Sequence, residues 1–275
     1  MHEQRICFIG GGNMAHSLIG GLIADGLPPE RITAADPDGD KRHALEERFG
    51  IRCYAGNQEA VRNADVVLLA VKPQVMAKAV VEIAGGVSTT SPLLISIAAG
   101  IRVADIARWT GRVPPIVRVM PNTPALLGCG ASALFANAAT TNSQREVAEG
   151  IMRAVGIALW VEEERQLDAV TAVSGSGPAY FFLLIELIQS EAVRLGLPSD
   201  TARVLTLQTA LGAARMALES DEPVNRLRER VTSPGGTTAA ALQLMDVPAF
   251  RETVSQAVAA ACLRAGELAD EFGNA

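Results

Sequence analysis

The sequence predicts an α/β chain in two parts: a mostly parallel sheet with crossover helices over 1–161, then an all-helical part over 162–275. Three observations carry this. An apolar run of strand character, Ile6-Cys7-Phe8-Ile9, empties directly into the triplet Gly10-Gly11-Gly12. Short apolar runs then alternate with helix-period segments as far as Val161, the pattern of βαβ units. Beyond the acidic link Glu162-Glu163-Glu164 strand-like alternation stops and long helical stretches take over.

The first run reads as strand, tight turn, helix. Gly10, Gly12 and Ala15 fit the G-x-G-x-x-G/A spacing, in which the first glycine makes the turn, the second admits a pyrophosphate and the small third residue packs helix on strand. The segment Ile9, Gly10, Gly11, Gly12, Asn13, Met14 and Ala15 would then hold phosphates at a helix amino end, where free N–H groups and the macrodipole favour negative charge. Apolar spacing through Leu18, Ile19, Leu22 and Ile23 continues the helix, and Gly26 with Pro28 and Pro29 stops it. Ile32-Thr33-Ala34-Ala35 is a second strand ending at Asp36, about 20 residues past the glycines, where an acid commonly binds the adenosine ribose. A helix-capping Asp-Pro turn is the other use of that residue. With strand, turn, helix, strand and acid in register, the domain reads as Rossmann-like and dinucleotide-binding.

A helix follows over 40–49, a strand over 52–54 and a short helix from Asn57 to Arg62. The continuous apolar run 66–71 suits a strand buried on both faces, and it ends in Lys72-Pro73. Ligands of doubly wound sheets gather at the carboxyl ends of the strands, so Ala70, Val71, Lys72 and Pro73 are placed to meet one. Lys72 serves equally well as a lysine snorkelling from a strand edge. A helix over 74–84 and a strand over 93–97 lead to Ala98-Ala99-Gly100, small residues that let a flat nicotinamide approach or a helix pack tightly. Pro121-Asn122-Thr123-Pro124 stiffens a loop after the strand at 117–120. Strands at 131–135 and 157–161 flank a helix over 143–154.

Composition narrows the partners. The 275 residues are 49% hydrophobic, enough for well-filled cores. A net charge of −6 with no basic block points away from nucleic acid and anionic membranes and towards small molecules. Met1-His2-Glu3-Gln4 leaves no room for a signal core before the first strand, and no uncharged apolar segment is expected to reach membrane-spanning length. Cys7, Cys53, Cys129 and Cys262 lack metal-ligand spacing, so no metal site is expected; buried thiols in a reducing cytoplasm are the simpler account.

The helical part is expected to carry helices over 179–195, 199–218 and 250–272. The stretch Phe181-Phe182-Leu183-Leu184-Ile185-Glu186-Leu187-Ile188 is apolar nearly all round, which implies burial inside a bundle or at a subunit interface. This half is therefore expected to join copies into a homodimer or larger. It also lacks lysine and histidine: His2, His16 and His43, and Lys41, Lys72 and Lys78, all lie before it. It cannot supply the His or Lys acid/base of many alcohol-oxidising dehydrogenases. An imine fits such a site, because water protonates it readily and the iminium then accepts hydride. Ser174-Gly175-Ser176-Gly177-Pro178 and Thr232-Ser233-Pro234-Gly235-Gly236-Thr237-Thr238 each read as a helix start able to hold a carboxylate, or as ordinary capping.

Segments 8–15, 70–73, 119–124, 174–180 and 231–238 closely resemble pyrroline-5-carboxylate reductases, in that family's order and spacing over essentially the whole chain. The last segment is highly specific. The resemblance implies hydride transfer from NAD(P)H to pyrroline-5-carboxylate, giving proline as the final step of its biosynthesis. It implies that Gly10 to Ala15, Asn57, Ala70 to Pro73, Ala98 and Ala99 line the cofactor. Ser176, Ser233, Gly235, Gly236, Thr237 and Thr238 would meet the substrate, with Thr238 the donor at the ring nitrogen. It further implies interlocked helical domains in a dimer, often built into decamers. Family members tend to use NADPH, with Asn or Ser then Arg after the second strand. Asp36-Pro37 departs from that pattern, so NADPH (NADP) is expected with NADH (NAD) as a substitute. Two other readings fit parts of the chain. Hydroxyacid dehydrogenases place a lysine after the Ser-Gly loop, absent from 181–194 here; a non-catalytic dinucleotide sensor would consume no NAD(P)H when given pyrroline-5-carboxylate.

Overall fold

The computed structural model describes residues 3–273, with side chains throughout that range except at 87–90. Met1 and His2, from the short lead-in, lie outside the described residues. By internal contacts the chain forms two compact units, one of residues 1–176 with 260–275 and one of 177–259.

The first unit is built on an eight-stranded sheet. In chain order it runs β1 (Ile6–Ile9), α1 (Asn13–Ala24), β2 (Ile32–Ala35), α2 (Gly39–Phe49), β3 (Arg52–Tyr54), α3 (Asn57–Ala60), β4 (Val66–Leu69) and α4 (Pro73–Thr90). Then come β5 (Leu93–Ser96), α5 (Val103–Thr110), β6 (Ile116–Met120), β7 (Gly130–Ala136), α6 (Asn142–Arg153), β8 (Gly156–Trp160) and α7 (Gln166–Val170). The strand order is β3-β2-β1-β4-β5-β6-β7-β8, parallel except where β7 runs against β6. Strand order reverses between β1 and β4, the switch point at which such sheets open a crevice for ligands.

Alternation along each strand supplies two cores. Ile6 and Phe8 join Leu68, Ile95 and Val117 beneath α1 and α6; Cys7 and Ile9 join Val67, Leu69 and Leu94 beneath α4 and α5. Each fully buried Leu, Ile or Phe contributes about 1.5–3 kcal/mol from the hydrophobic effect, so the sheet holds the switch point rigidly.

The acidic link after Val161 belongs to this unit. Arg118, 4% exposed on β6, sets Nη1 3.1 Å from Glu164 Oε1 and Nη2 3.8 Å from Asp168 Oδ1. The same Glu164 oxygen accepts the Val103 N–H at 2.8 Å, so one ion cluster fastens α5, β6 and α7. By internal contacts this unit runs on to Ser176.

The second unit holds α8 (Gly177–Arg194), α9 (Ser199–Glu219), α10 (Val224–Arg230), α11 (Thr237–Met245) and most of α12 (Pro248–Gly273), whose last turns join the first unit. Among its described residues only Gly177, Ala202 and Thr206 are buried. Phe181 and Phe182 are 68% and 66% exposed, and Leu183, Leu187 and Ile188 are exposed too. The apolar helix foreseen from composition thus forms, but a single chain does not cover it. The helical stretch Gln166–Arg194 is long and apolar enough to cross a membrane by length and composition, but it is not the uncharged segment the sequence was read as lacking. Asp168, Glu186 and Glu191 lie within it.

Candidate functional site

The glycine turn is held by backbone on both sides. Gly10 donates its N–H to Ala35 O at 2.7 Å, and Ala70 donates to Ile9 O at 2.8 Å. Gly10 sits at φ +103°, and a Cβ there would lie 2.7 Å from Ala70 O, so only glycine closes the turn against β4. Gly12 is the N-cap of α1 without a side-chain cap, and a Cβ there meets nothing within 4 Å. The amino end of α1 therefore opens onto space with its first N–H groups uncapped. This pairing, a turn that must be glycine and a helix end left clear, fits a pyrophosphate.

A cleft of about 560 Å³ lies past the ends of β2 and β4, lined by Ala35, Pro37, Asn57, Val71, Val75 and Ala79 together with Lys78 and Glu82. Its apolar walls suit an adenine ring. Asn57 donates from Nδ2 to Glu82 Oε2 at 2.7 Å, which holds its side chain at the rim. Lys72 is exposed at the end of β4, and Pro73 opens α4 as a helix-initiating proline. At the end of β5, Ala98 is buried and Ala99 half-buried. Gly100 answers to packing: its φ is +74° and a Cβ would lie 3.0 Å from Phe272 Cδ2. Ile9 to Ala15, Asp36, Asn57, Ala70 to Pro73, Ala98 and Ala99 thus collect at one edge of the sheet.

The Ser174 to Pro178 segment does not form the helix start expected of it. Residues Thr171–Gly175 make a π-helical turn that passes into α8, and the Ser176 N–H is consumed by Thr171 O at 2.8 Å. Ser176 offers a hydroxyl, not a free amide. Asn122 was foreseen only as part of a stiff loop, yet it joins three elements: Nδ2 donates to Ser174 O at 3.1 Å and Oδ1 accepts Ala131 N–H at 2.8 Å. Its signal in the sequence was an amide between two prolines. Gly175 lets the π turn lie on β6, since a Cβ there would sit 2.5 Å from Met120 Cε.

In the second unit, Gly235 takes φ +72° and Gly236 is the N-cap of α11 without a side-chain cap, its N–H bonded to Ser233 O at 3.0 Å. Ser233, Thr237 and Thr238 are exposed on this turn. It is a helix start with hydroxyls around it, as the sequence suggests.

Cys7 and Cys53 are held as neutral thiols. Burial pushes Cys7 up to about 12 and Cys53 up to about 11, with Glu46 adding to the second shift. Both changes favour the neutral thiol, so any stability they hold is complete below the ordinary value of 9.0 and is lost as pH rises towards 11 and 12. At pH about 8, iodoacetamide is expected to leave Cys7 of the folded protein unmodified and to label it in urea, as read by peptide mass spectrometry. Labelling of Cys7 without unfolding would contradict its burial.

Comparison with known proteins adds names to this geometry. Residues 164–268 match the family model described as pyrroline-5-carboxylate reductase dimerisation, and residues 5–100 match that described as NADP oxidoreductase, coenzyme F420-dependent. A pyrroline-5-carboxylate reductase of Pseudomonas aeruginosa is 52% identical over 274 residues, spanning 100% of each chain. Among solved structures, a pyrroline-5-carboxylate reductase from Coxiella burnetii matches with TM-score 0.92 at 46% identity, covering 96% of this chain and 98% of that one. The pyrroline carboxylate reductase of Plasmodium falciparum with NADP bound matches with TM-score 0.87 at 31% identity, covering 98% and 99%.

Proposed function

The chain belongs to the pyrroline-5-carboxylate reductase family, and from that premise we propose that it reduces 1-pyrroline-5-carboxylate to L-proline, the last step of proline biosynthesis. The observation that carries this is the glycine turn with its clear helix end, in a chain that matches such reductases over its whole length. A nicotinamide dinucleotide, when bound, supplies the hydride. Ile9 to Ala15 hold its phosphates, Asn57, Ala70, Val71, Lys72 and Pro73 border its adenosine half, and Ala98 and Ala99 leave room for its ring. We take NADPH as the working cofactor, with NADH as a substitute.

Ser233, Gly235, Gly236 and Thr237 receive the substrate carboxylate at the amino end of α11, with the Ser176 hydroxyl as a further polar contact. Thr238 orients the ring nitrogen through its hydroxyl. The carbon of the C=N bond gains a hydride and the nitrogen a proton from water, so no lysine or histidine is needed beside it. If NAD(P)H absorbance at 340 nm falls only when pyrroline-5-carboxylate is present, with one proline formed per NAD(P)H, the reading stands. A protein that binds dinucleotide and consumes none would be the sensor instead.

Thr238→Ala is expected to lower kcat by about 10- to 100-fold, the loss of one orienting hydrogen bond, and to change cofactor affinity by less than about threefold. Unchanged turnover would remove Thr238 from the mechanism.

The exposed apolar side of α8 has its occupant in a second copy of the chain, given the dimerisation model over 164–268, and not in lipid. A homodimer is proposed as the unit and a homodecamer as the larger assembly, in the cytoplasm, without nucleic-acid or membrane partners. Light scattering at micromolar concentration should return at least two chains per particle; a monomeric mass would contradict the assignment of that face.

A further inference from the structure

An acid at the end of β2 ordinarily receives the hydroxyls of the adenosine ribose and repels a phosphate there. Asp36 is placed for that duty but is already engaged. It is 6% exposed; Oδ2 accepts the Gly11 N–H at 2.8 Å, and Oδ1 accepts the Asp38 N–H at 2.9 Å. Lys41 Nζ stands 3.6 Å from Oδ2 and 3.9 Å from the half-exposed Asp38 Oδ2, with its own side chain 49% exposed. Arg42 is spent on the same corner, donating from Nη1 to the carbonyls of Asp36 at 2.8 Å and Pro37 at 2.9 Å. A Cβ on Gly11 would lie 3.0 Å from Leu45 Cδ1 and 3.5 Å from Asp36 Cβ, so the turn sits directly against the acid.

We propose that Asp36 is a positioning residue, fixing the Gly10 to Gly12 turn through the Gly11 amide, and that Lys41 is the residue that favours a phosphate on the adenosine ribose. The charge at position 36 is turned inward and partnered, so it does not exclude the phosphorylated cofactor. Arg42 shapes the corner, and Lys41 is the cation with a side chain half in solvent. This rests on the dinucleotide reading above and adds the basis of cofactor choice.

The test is equilibrium titration of the full-length protein with NADPH and with NADH, read by nucleotide fluorescence in the absence of substrate. Lys41→Ala should weaken NADPH about fivefold, as for one surface ion pair, with NADH moved by less than about twofold. Raising salt to about 1 M should erase that difference, which a structural defect would not do. In the Lys41→Ala background, Asp36→Asn keeps an oxygen for Gly11 and should hold both affinities within about threefold, whereas Asp36→Ala should weaken both together by about tenfold, the loss of one charge-assisted hydrogen bond. A swing of more than about tenfold towards NADPH in Asp36→Asn would make the carboxylate a ribose reader and overturn the proposal. Equal loss of both cofactors in Lys41→Ala would overturn it too. Should Asp36→Ala not fold, Asp36→Asn and Lys41→Ala decide; wild-type protein that binds neither nucleotide would refute the functional reading itself.

Discussion

Gly10→Ala is expected to raise the Kd for NADPH by at least about 100-fold, or 2.7 kcal/mol. The new Cβ would meet Ala70 O at 2.7 Å, Ala70 C at 2.8 Å and Val71 Cγ1 at 3.0 Å, on a residue at φ +103°. A non-glycine residue held at such φ costs about 1–3 kcal/mol before any clash is counted. Two of the three atoms are backbone at the end of β4 and cannot swing aside, so the relief is a shift of Ala70-Val71, part of the same cleft. Gly12→Ala is the informative contrast. Its φ is −78° and its Cβ would enter open space, so the fold should tolerate it while the methyl narrows the approach to the amino end of α1. Calorimetric titration beside thermal melting separates the two: Gly10→Ala lowers both binding and Tm, Gly12→Ala lowers binding alone. Wild-type affinity in Gly10→Ala would mean that the turn does not form the phosphate site.

The second large effect is on stability. Arg118→Met is expected to cost about 3 kcal/mol and lower Tm by about 6–12 °C, the low end of what removing one member of a buried ion cluster costs. The loss leaves Glu164 and Asp168, about a fifth exposed each, facing an apolar side chain. The triple variant Arg118→Met, Glu164→Gln, Asp168→Asn should be milder than the single one, because the half-buried carboxylate charges go with their partner. A single variant melting within about 2 °C of wild type would show that α7 is held by packing and not by this cluster.

The path from β1 through the turn to Asp36 was legible because period-two burial, glycine spacing and the helix period act locally and agree. Most remaining strands of the sheet were readable for the same reason, with ends shifted by a residue. The short α5 and α10 were not. The N-cap of α5 is Arg102, whose N–H is taken by Asp105, and no Ser, Thr, Asn or Asp announces the helix. The composition of residues 174–178 is that of a loop, whereas their backbone is helical because the Thr171 carbonyl captures the Ser176 amide. Asp36 was visible as an acid in the right place, but its partner, the Gly11 amide, is a tertiary fact. The apolar girth of α8 was legible, and in the single chain that side is exposed. The sequence left open whether a bundle or a subunit interface would cover it, and it did not flag Gln166–Arg194 as membrane-length, since small residues and a proline break its apolar run.

Isotope transfer tests the central claim most directly. With NADPH carrying deuterium at the transferable C4 position and unlabelled pyrroline-5-carboxylate, the proline formed should weigh one mass unit more, with the label on the δ-carbon. Proline formed without that label, or no proline from a protein that binds both ligands, would contradict the account.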